Sequence, residues 1–354
     1  MQKILLVGPY PPPFGGISVQ ILRLQKSLQR SGFLCQVLNI GEYRSEDIPG
    51  AISIKSHIGY LWNLFDFARQ GYIIHLVTSG HNFKSWLSAL ACSLAGLINR
   101  KRSVIAVGSG LLPKYIASSR GLEKKIIRLT LKLAGAVICR NDDSMASLIL
   151  SGAPEKTTVI IAGFLGVNPA EIGEVPEEIQ NFIGQHQPVI GAHAIVDPEY
   201  GLQLLLDAFS ALVQDFPNLG MILIGLKESE AEQLSGYQCL RQQLLPTGFL
   251  HHPAALAVMR SLRVFVRATF FDGDSNSVRE ALSLGVPVVA SNTDFRPPGV
   301  TLFAIGNKED LVRQVKHVLK QQPINSASTE QTSQDEPALN FNKILEIYNH
   351  LTMS

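Results

Sequence analysis

The stretch RATFFDGDSNSVREALSLGVPVVAS, residues 267–291, runs from an apolar strand into a helix and returns at once to a second apolar strand. At the mouth of that helix it collects Asp272, Asp274, Arg279 and Glu280. Buried strands and their flanks gather charge where something charged or rich in hydroxyls must sit. If RVFVRA is the strand, the helix starts near Ser275–Ser277, which leaves Asp272 in the loop and Glu280 on the first or second turn. Ser275, Asn276 or Ser277 can serve as N-cap, and the helix-starting amides then attract phosphate. A carboxylate in the loop and another eight positions on can hold the hydroxyls at two ends of a nucleotide sugar. The plainer reading is that Asp272 and Asp274 cap the helix while Glu280 pairs with Arg279 or a lysine.

Outward from this stretch the chain alternates short β-rich runs with helical ones, the pattern of βα units around parallel sheets. In the first half KILLVG, CQVLNI, IIHLV, RSVIAVG and GAVICR read as strands. In the second half PVIGAHAI, GMILIG, RVFVRA and PVVAS do so. The fold class is therefore α/β, two doubly wound Rossmann-like domains facing across a cleft, with ligands beyond the carboxyl ends of the strands. The boundaries fall at residues 1–168 for the first domain and 169–187 for a linker rich in Gly, Pro and acids. Residues 188–325 form the second domain, 326–337 a mobile polar loop and 338–354 a terminal helix.

A chain of 354 residues with 46% hydrophobic and 17% charged side chains can bury two cores and is not of a disordered class. Residues 1–165 carry 19 Lys and Arg against 8 Asp and Glu, a net +11; residues 166–354 carry 12 against 21, a net −9. The basic half suits an anionic partner such as a membrane face or a phosphorylated lipid, or is simply a basic surface. Within it YIASSRGLEKKIIRLTLKLAG sets Lys124, Lys125, Arg128 and Lys132 among Ile126, Ile127, Leu129 and Leu133. That is a basic amphipathic helix suited to anionic lipid, or an ordinary βα helix with a charged outer face. Cys35, Cys92, Cys139 and Cys239 lack metal or disulfide spacing and read as small buried hydrophobes in a reducing compartment. The N-terminal apolar run is too short for a signal peptide, and WLSALACSLAGLI is too short to span a bilayer.

The opening GPYPPPFGGISVQ ends a strand at Gly8 and places Gly15 and Gly16 before a helix, where backbone can approach an anion. It is neither GxGxxG nor GxxxxGK[ST], which removes support for a nicotinamide oxidoreductase or a P-loop. DGD at 272–274 has the form of the metal-binding DxD triplet, but three residues are a weak signal and no metal or other cofactor is expected.

With these motifs in place, the chain resembles the GT-B fold glycosyltransferases of the large retaining family 4, glycosyl transferases group 1. The resemblance rests on Asp272 and Glu280 at the family's acidic pair, with Asp in place of the usual first Glu, on EALSLGVPVVAS, and on GPYPPPFGGISVQILRLQKSLQRSGF. LSGAPEKTTVIIAGFLGVNP and EYGLQLLLDAFSALVQDFPNLGMILIG extend it over nearly the whole chain. It implies that Glu280 takes ribose hydroxyls and Asp272 the donor sugar. Gly273 and Ser275, Asn276, Ser277 and Val278 would offer amides to sugar and diphosphate, Gly16 with Gly15 would approach the phosphates, and Gly248, Phe249 and Leu250 would meet the base. The implied partners are a nucleoside-diphosphate sugar of UDP or GDP type and a glycan or lipid-linked acceptor, with no nucleic acid. The implied setting is the cytoplasm, with the cytoplasmic membrane face as an anchoring surface.

Two departures stand out. Ile195 and Tyr200 occupy the places of the Arg and Lys that neutralise the donor diphosphate in the family, a loss of several kcal/mol unless other cations substitute. Arg267 and Arg279 are the candidate replacements, each also readable as half of a surface ion pair. The family's first-domain His is missing, since Gly108–Ser109–Gly110 stands there; His81 is the nearby candidate. His193 is read as facing the cleft with the substrate-binding residues, although a lone His is more often structural. A sugar-nucleotide epimerase and a binding-only descendant of the same fold are the competing functions.

Overall fold

The computed structural model describes residues 2–353 apart from Pro13, Asn99, Gly273, Asp294 and residues 322–329. Within helices, the side chains of Glu228, Ala231, Gln233, residues 330–335 and Met353 are likewise outside the description. The chain divides into two units, residues 1–165 together with 337–354, and residues 166–336.

The first unit is built on β1 (Lys3–Gly8), β2 (Leu34–Asn39), β3 (Ile73–Thr78), β4 (Val104–Val107), β5 (Ala136–Cys139) and β6 (Thr158–Ile160). These form one parallel sheet in the order β2-β1-β3-β4-β5-β6. Nearly every strand position is buried, as a sheet covered on both faces demands. Side chains alternate between two cores. Leu5 and Val7 of β1 pack against α2 (His57–Arg69), α3 (Phe83–Gly96), α4 (Leu112–Ser118), α5 (Gly121–Leu133) and α6 (Asp142–Leu150). Ile4 and Leu6 face α1 (Gly16–Arg30) and a helix from the far end of the chain. Helix starts are set by local chemistry: Ser56 Oγ, Asn82 Oδ1 and Asn141 Oδ1 each accept the amide three residues on.

The second unit contains α7 (Glu177–Gln185), β7 (Val189–His193), α8 (Leu202–Asp215), β8 (Gly220–Ile224), β9 (Leu244–Pro246), α9 (His252–Arg260), β10 (Val264–Arg267), α10 (Asn276–Ser283), β11 (Val288–Ser291), β12 (Val300–Phe303) and α11 (Lys308–Lys320). Its parallel sheet has the order β12-β11-β10-β7-β8-β9. Val264 and Val266 of β10 face the core made by α8 and α11, while Phe265 faces that of α7, α9 and α10.

The final helix, α12 (Glu330–Met353), buries Ile344, Tyr348 and Leu351 in the first unit, beside α1. Each such side chain stabilises by about 2 kcal/mol, which ties the C-terminal segment to the sheet where the chain began.

The doubly wound α/β reading matches the structure. Three particulars differ from the sequence expectations. The stretch expected as a linker folds at Glu177–Gln185 into α7, and its Ile179 and Phe182 belong to the core of the second unit. Residues 330–337 of the expected polar loop are helical; residues 326–329 lie outside the described residues. Cys239 is exposed, unlike Cys35, Cys92 and Cys139.

Candidate functional site

The strand order of the second unit reverses at β7, which has β8 on one side and β10 on the other. Such a switch point opens a crevice at the carboxyl ends of the strands. His193 is the last residue of β7 and Arg267 the last of β10. The loop that follows β10 returns to Arg267: its Nε donates to Asp272 Oδ2 at 3.0 Å. The same oxygen accepts from Arg296 Nη1 at 2.8 Å and from Thr269 Oγ1 at 3.3 Å. Arg296 also donates through Nε to the Ser291 carbonyl at 2.9 Å and through Nη2 to Thr269 Oγ1 at 3.0 Å, so β11 and the 267–272 turn are fastened through one guanidinium. Burial alone would raise the Asp272 carboxyl, but Arg267 and Arg296 outweigh it and hold the group below the usual carboxylate range. Two arginines on one carboxylate leave a net charge of about +1 there at neutral pH.

Tyr200, which stands where a lysine is expected, supports one of these cations. The Arg267 guanidinium lies 5.0 Å from the centroid of the Tyr200 ring. Ile195, at the other expected cation position, is exposed. Gly201 starts α8 in the left-handed region at φ 65, and a Cβ there would lie 2.1 Å from the Ala268 carbonyl oxygen. Only glycine lets α8 begin this close to the end of β10.

Glu280 lies on the second turn of α10, buried at 6% exposure, with Oε1 2.9 Å from His252 Nε2 at the first position of α9. His193, edge-on to Phe265, is pushed down to about 4 by burial and by the charge of Arg267, so it is neutral at pH 7. Ser275 is the N-cap of α10 but makes no capping bond from its side chain; its hydroxyl instead lies 3.1 Å from that of Ser277. Asn276 and Ser277 open the helix, and Val278 is buried in the core beneath it. Gly273 lies outside the described residues.

Arg279 does not sit in a surface ion pair. It is 4% exposed, with Nε 2.5 Å from Asp274 Oδ1 and Nη1 2.7 Å from Glu336, and it stacks 5.5 Å from the Phe295 centroid. The two carboxylates of the 272–274 triplet are thus bonded to different arginines, Asp272 to Arg267 and Arg296, Asp274 to Arg279.

At the β8–β9 side, Gly248 takes φ +62, donates to the Leu226 carbonyl at 2.8 Å and accepts from Gly225 N–H at 3.2 Å. Phe249 is half exposed, with its ring edge-on to His251, and Leu250 packs against the α9–α10 core. In the first unit Gly15 is the N-cap of α1, and its amide donates to Ser18 Oγ at 2.8 Å, with Gly16 as the first helical residue. His81 is exposed in the turn before α3.

The structure brings Arg267, Asp272, Glu280 and His193 to one end of one sheet. Sequence reasoning missed Arg296 and His252. Arg296, in FRPPG, had no motif to mark it; His252, in LHHP just before a helical run, offered only a weak helix-start signal.

Residues 187–321, the sheet of the second unit, match the family model described as Glycosyl transferases group 1. A comparison with curated proteins gives no match. Among solved structures, Anabaena HepE in complex with UDP is similar at 16% identity and a TM-score of 0.67, over 100% of this chain and 99% of that one. Sucrose-phosphate synthase from Thermosynechococcus elongatus is similar at 15% identity and a TM-score of 0.73, with both chains covered fully. The UDP-forming α,α-trehalose-phosphate synthase from Burkholderia xenovorans is similar at 11% identity and a TM-score of 0.70, again over both whole chains. The fold of this chain is that of the GT-B glycosyltransferases, and its second unit carries their group 1 sequence pattern.

Proposed function

We propose that the chain is a retaining, metal-independent glycosyltransferase that moves a sugar from a nucleoside diphosphate to an acceptor hydroxyl. The observation that carries this reading is Glu280: a buried carboxylate, braced by His252, one turn from the start of α10 at the switch point of the second sheet. A carboxylate so placed accepts hydrogen bonds from two vicinal hydroxyls, as a ribose presents. The amides of the first turn of α10 and the net positive charge of Arg267, Arg296 and Asp272 suit a diphosphate. HepE structures with UDP and with UDP-glucose support a nucleotide sugar as the donor class.

On this reading Arg267 replaces the cations absent at Ile195 and Tyr200. As the bond from sugar C1 to the phosphate oxygen breaks, that oxygen gains charge, which Arg267 and the helix start stabilise. The acceptor hydroxyl forms its bond to C1 on the same face and passes its proton to the departing oxygen, so no protein nucleophile is needed. Asp272 and Asp274 are each neutralised by arginine, an arrangement that serves anion binding. Surface polysaccharide or glycolipid synthesis is the process we infer, in the cytoplasm or at the inner membrane face.

The test is calorimetry with UDP and GDP, and hydrolysis of a panel of nucleotide sugars, on wild type and Glu280→Gln. Wild type should bind one nucleotide and the variant at least tenfold more weakly, with unchanged melting. Equal affinity removes Glu280 from the site. A second reading, a binding protein without transfer, draws on Ile195 and Tyr200 at the cation positions; nucleotide binding with neither hydrolysis nor transfer would select it.

A further inference from the structure

The outer strand of the first sheet, β6, pairs with β5 alone among the described residues. Between its open edge and α12 lies a pocket of about 520 Å³. The walls follow four successive residues, Thr157 to Ile160, and one face of α12 made by Lys343, Glu346, Ile347, His350 and Leu351. Three strand steps and two helical turns make the pocket elongated, about 10–12 Å along its axis. The helix runs antiparallel to the strand. Asn340 Nδ2 donates to the Phe164 carbonyl at 3.3 Å, while a Cβ on Gly135, just before β5, would lie 2.5 Å from Leu351 Cδ2. His350 therefore stands at the end where β6 begins, with Lys156 and Thr157, and Lys343 stands at the other.

The lining fits a hydrocarbon chain with an anionic head. Val159 and Ile347 lie at the margin of one core of the first unit, Met145 and Ile160 at the margin of the other, and all four are only partly buried. The two cores meet here around the last strand, so the pocket has an apolar floor. Lys156, Lys343 and His350 outnumber Glu346, the one carboxylate of the wall among the described residues. Thr157 gives a second, independent sign: its hydroxyl is buried and has no hydrogen-bond partner among the described residues. A buried polar group in that state calls for a partner. One lysine, one imidazole and one hydroxyl at the start of β6 match the two oxygens of a carboxylate.

We propose that this pocket binds a single-chain aliphatic carboxylate, with its head at Lys156, Thr157 and His350 and its chain laid between β6 and α12. A ligand held this way touches both the sheet edge and the C-terminal helix, and so stabilises the docked form of α12. The site lies wholly in the first unit and needs no nucleotide, so it stands apart from the transferase reading.

The test is calorimetry of the full chain with decanoate, with decanol and with acetate, alongside melting curves. Wild type should take up one decanoate saturably and melt at a higher temperature with it. Decanol, which keeps the chain and lacks the charge, should bind at least tenfold more weakly, and acetate, which keeps only the head, should not bind at the same concentration. Lys156→Ser/His350→Ser should lose decanoate binding at least tenfold. Thr157→Val should lose it severalfold while melting no lower than wild type without ligand, since it removes a hydroxyl that the free protein leaves unsatisfied. Lys124→Ser/Lys125→Ser, two lysines of α5, should bind as wild type. Equal loss in both double variants would reduce the effect to diffuse charge and overturn the site, as would decanol binding as tightly as decanoate. Uptake of several decanoates without saturation would overturn it as surface adsorption. Wild-type affinity in Thr157→Val would overturn the placing of the head at the start of β6.

Discussion

His75 and Tyr348, 273 positions apart, meet in a hydrogen bond of 2.5 Å between Nδ1 and the phenolic oxygen inside the first unit. Tyr348 belongs to α12 and is fully buried; His75, on β3, is 1% exposed, and its Nε2 has no hydrogen-bond partner among the described residues. This pair is a buried polar fastening of the C-terminal helix to the sheet. Tyr348→Phe should cost about 1–3 kcal/mol, because it leaves His75 buried with neither nitrogen satisfied. His75→Leu/Tyr348→Phe, which removes both polar groups, should recover part of that loss. Urea unfolding of the variants measures both; a double variant less stable than Tyr348→Phe alone would contradict the role given to the pair.

The same histidine gives the fold an acid limit. Burial, with a smaller push from the charge of Arg140, takes His75 from 6.5 down to about 3. The unfolded chain therefore binds a proton below pH 6.5 that the folded chain refuses until about pH 3. Stability should be full above pH 6.5 and fall by a few kcal/mol as the pH drops from 6.5 toward 3. His193, pushed down to about 4, acts in the same direction in the second unit. Melting temperature against pH should decline more gently in His75→Leu/Tyr348→Phe than in wild type between pH 6.5 and 4; parallel profiles would exclude His75 as a source of the decline.

Two glycines in the left-handed region separate strain from collision. Gly201 at φ +65 and Gly248 at φ +62 are alike in backbone, but a Cβ on Gly201 meets the Ala268 carbonyl at 2.1 Å, and one on Gly248 meets nothing within 4 Å. Gly248→Ala should cost about 1 kcal/mol from conformation alone. Gly201→Ala should cost about 3 kcal/mol or more and displace the end of β10, which carries Arg267. Thermal unfolding of the two variants side by side checks the difference.

How far the sequence carried these conclusions can be traced residue by residue. The long buried strands and the stretch from Arg267 to Ser291 were legible because an unbroken apolar run followed by a helical period has few other meanings. β6, β9 and β12, each of three or four residues at or near a sheet edge, were not, since so short a run carries no period. The helix α7 was hidden by Gly, Pro and acids on both sides of Ile179 and Phe182. Glu280 and Arg267 were singled out from a local motif, and the structure places them on α10 and at the end of β10. Arg296 was out of reach because it joins Asp272 from 24 positions away, and only the sheet order brings β10 and β11 side by side.

Arg296 therefore provides a test that the sequence did not suggest. It is 3% exposed at its side chain and is one of two cations on Asp272 Oδ2. Without it Asp272 would keep Arg267 alone, its carboxyl would move upward, and less of the Arg267 charge would remain for the proposed diphosphate. Arg296→Leu should weaken nucleotide diphosphate binding about 10- to 100-fold at pH 7, whereas a nucleoside lacking phosphate should be affected little. The pH profile carries the second signature. In wild type Asp272 is depressed, so its contribution to stability is present above the usual carboxylate range and lost only as the pH falls below it. In Arg296→Leu, with one of the two cations gone, that contribution should be smaller and the acid loss of stability shallower. Isothermal calorimetry with UDP and with uridine at pH 7 measures the first effect, and melting temperature between pH 5 and 3 the second; equal weakening for nucleoside and nucleotide would show that Arg296 holds only the loop and would remove it from the proposed phosphate site.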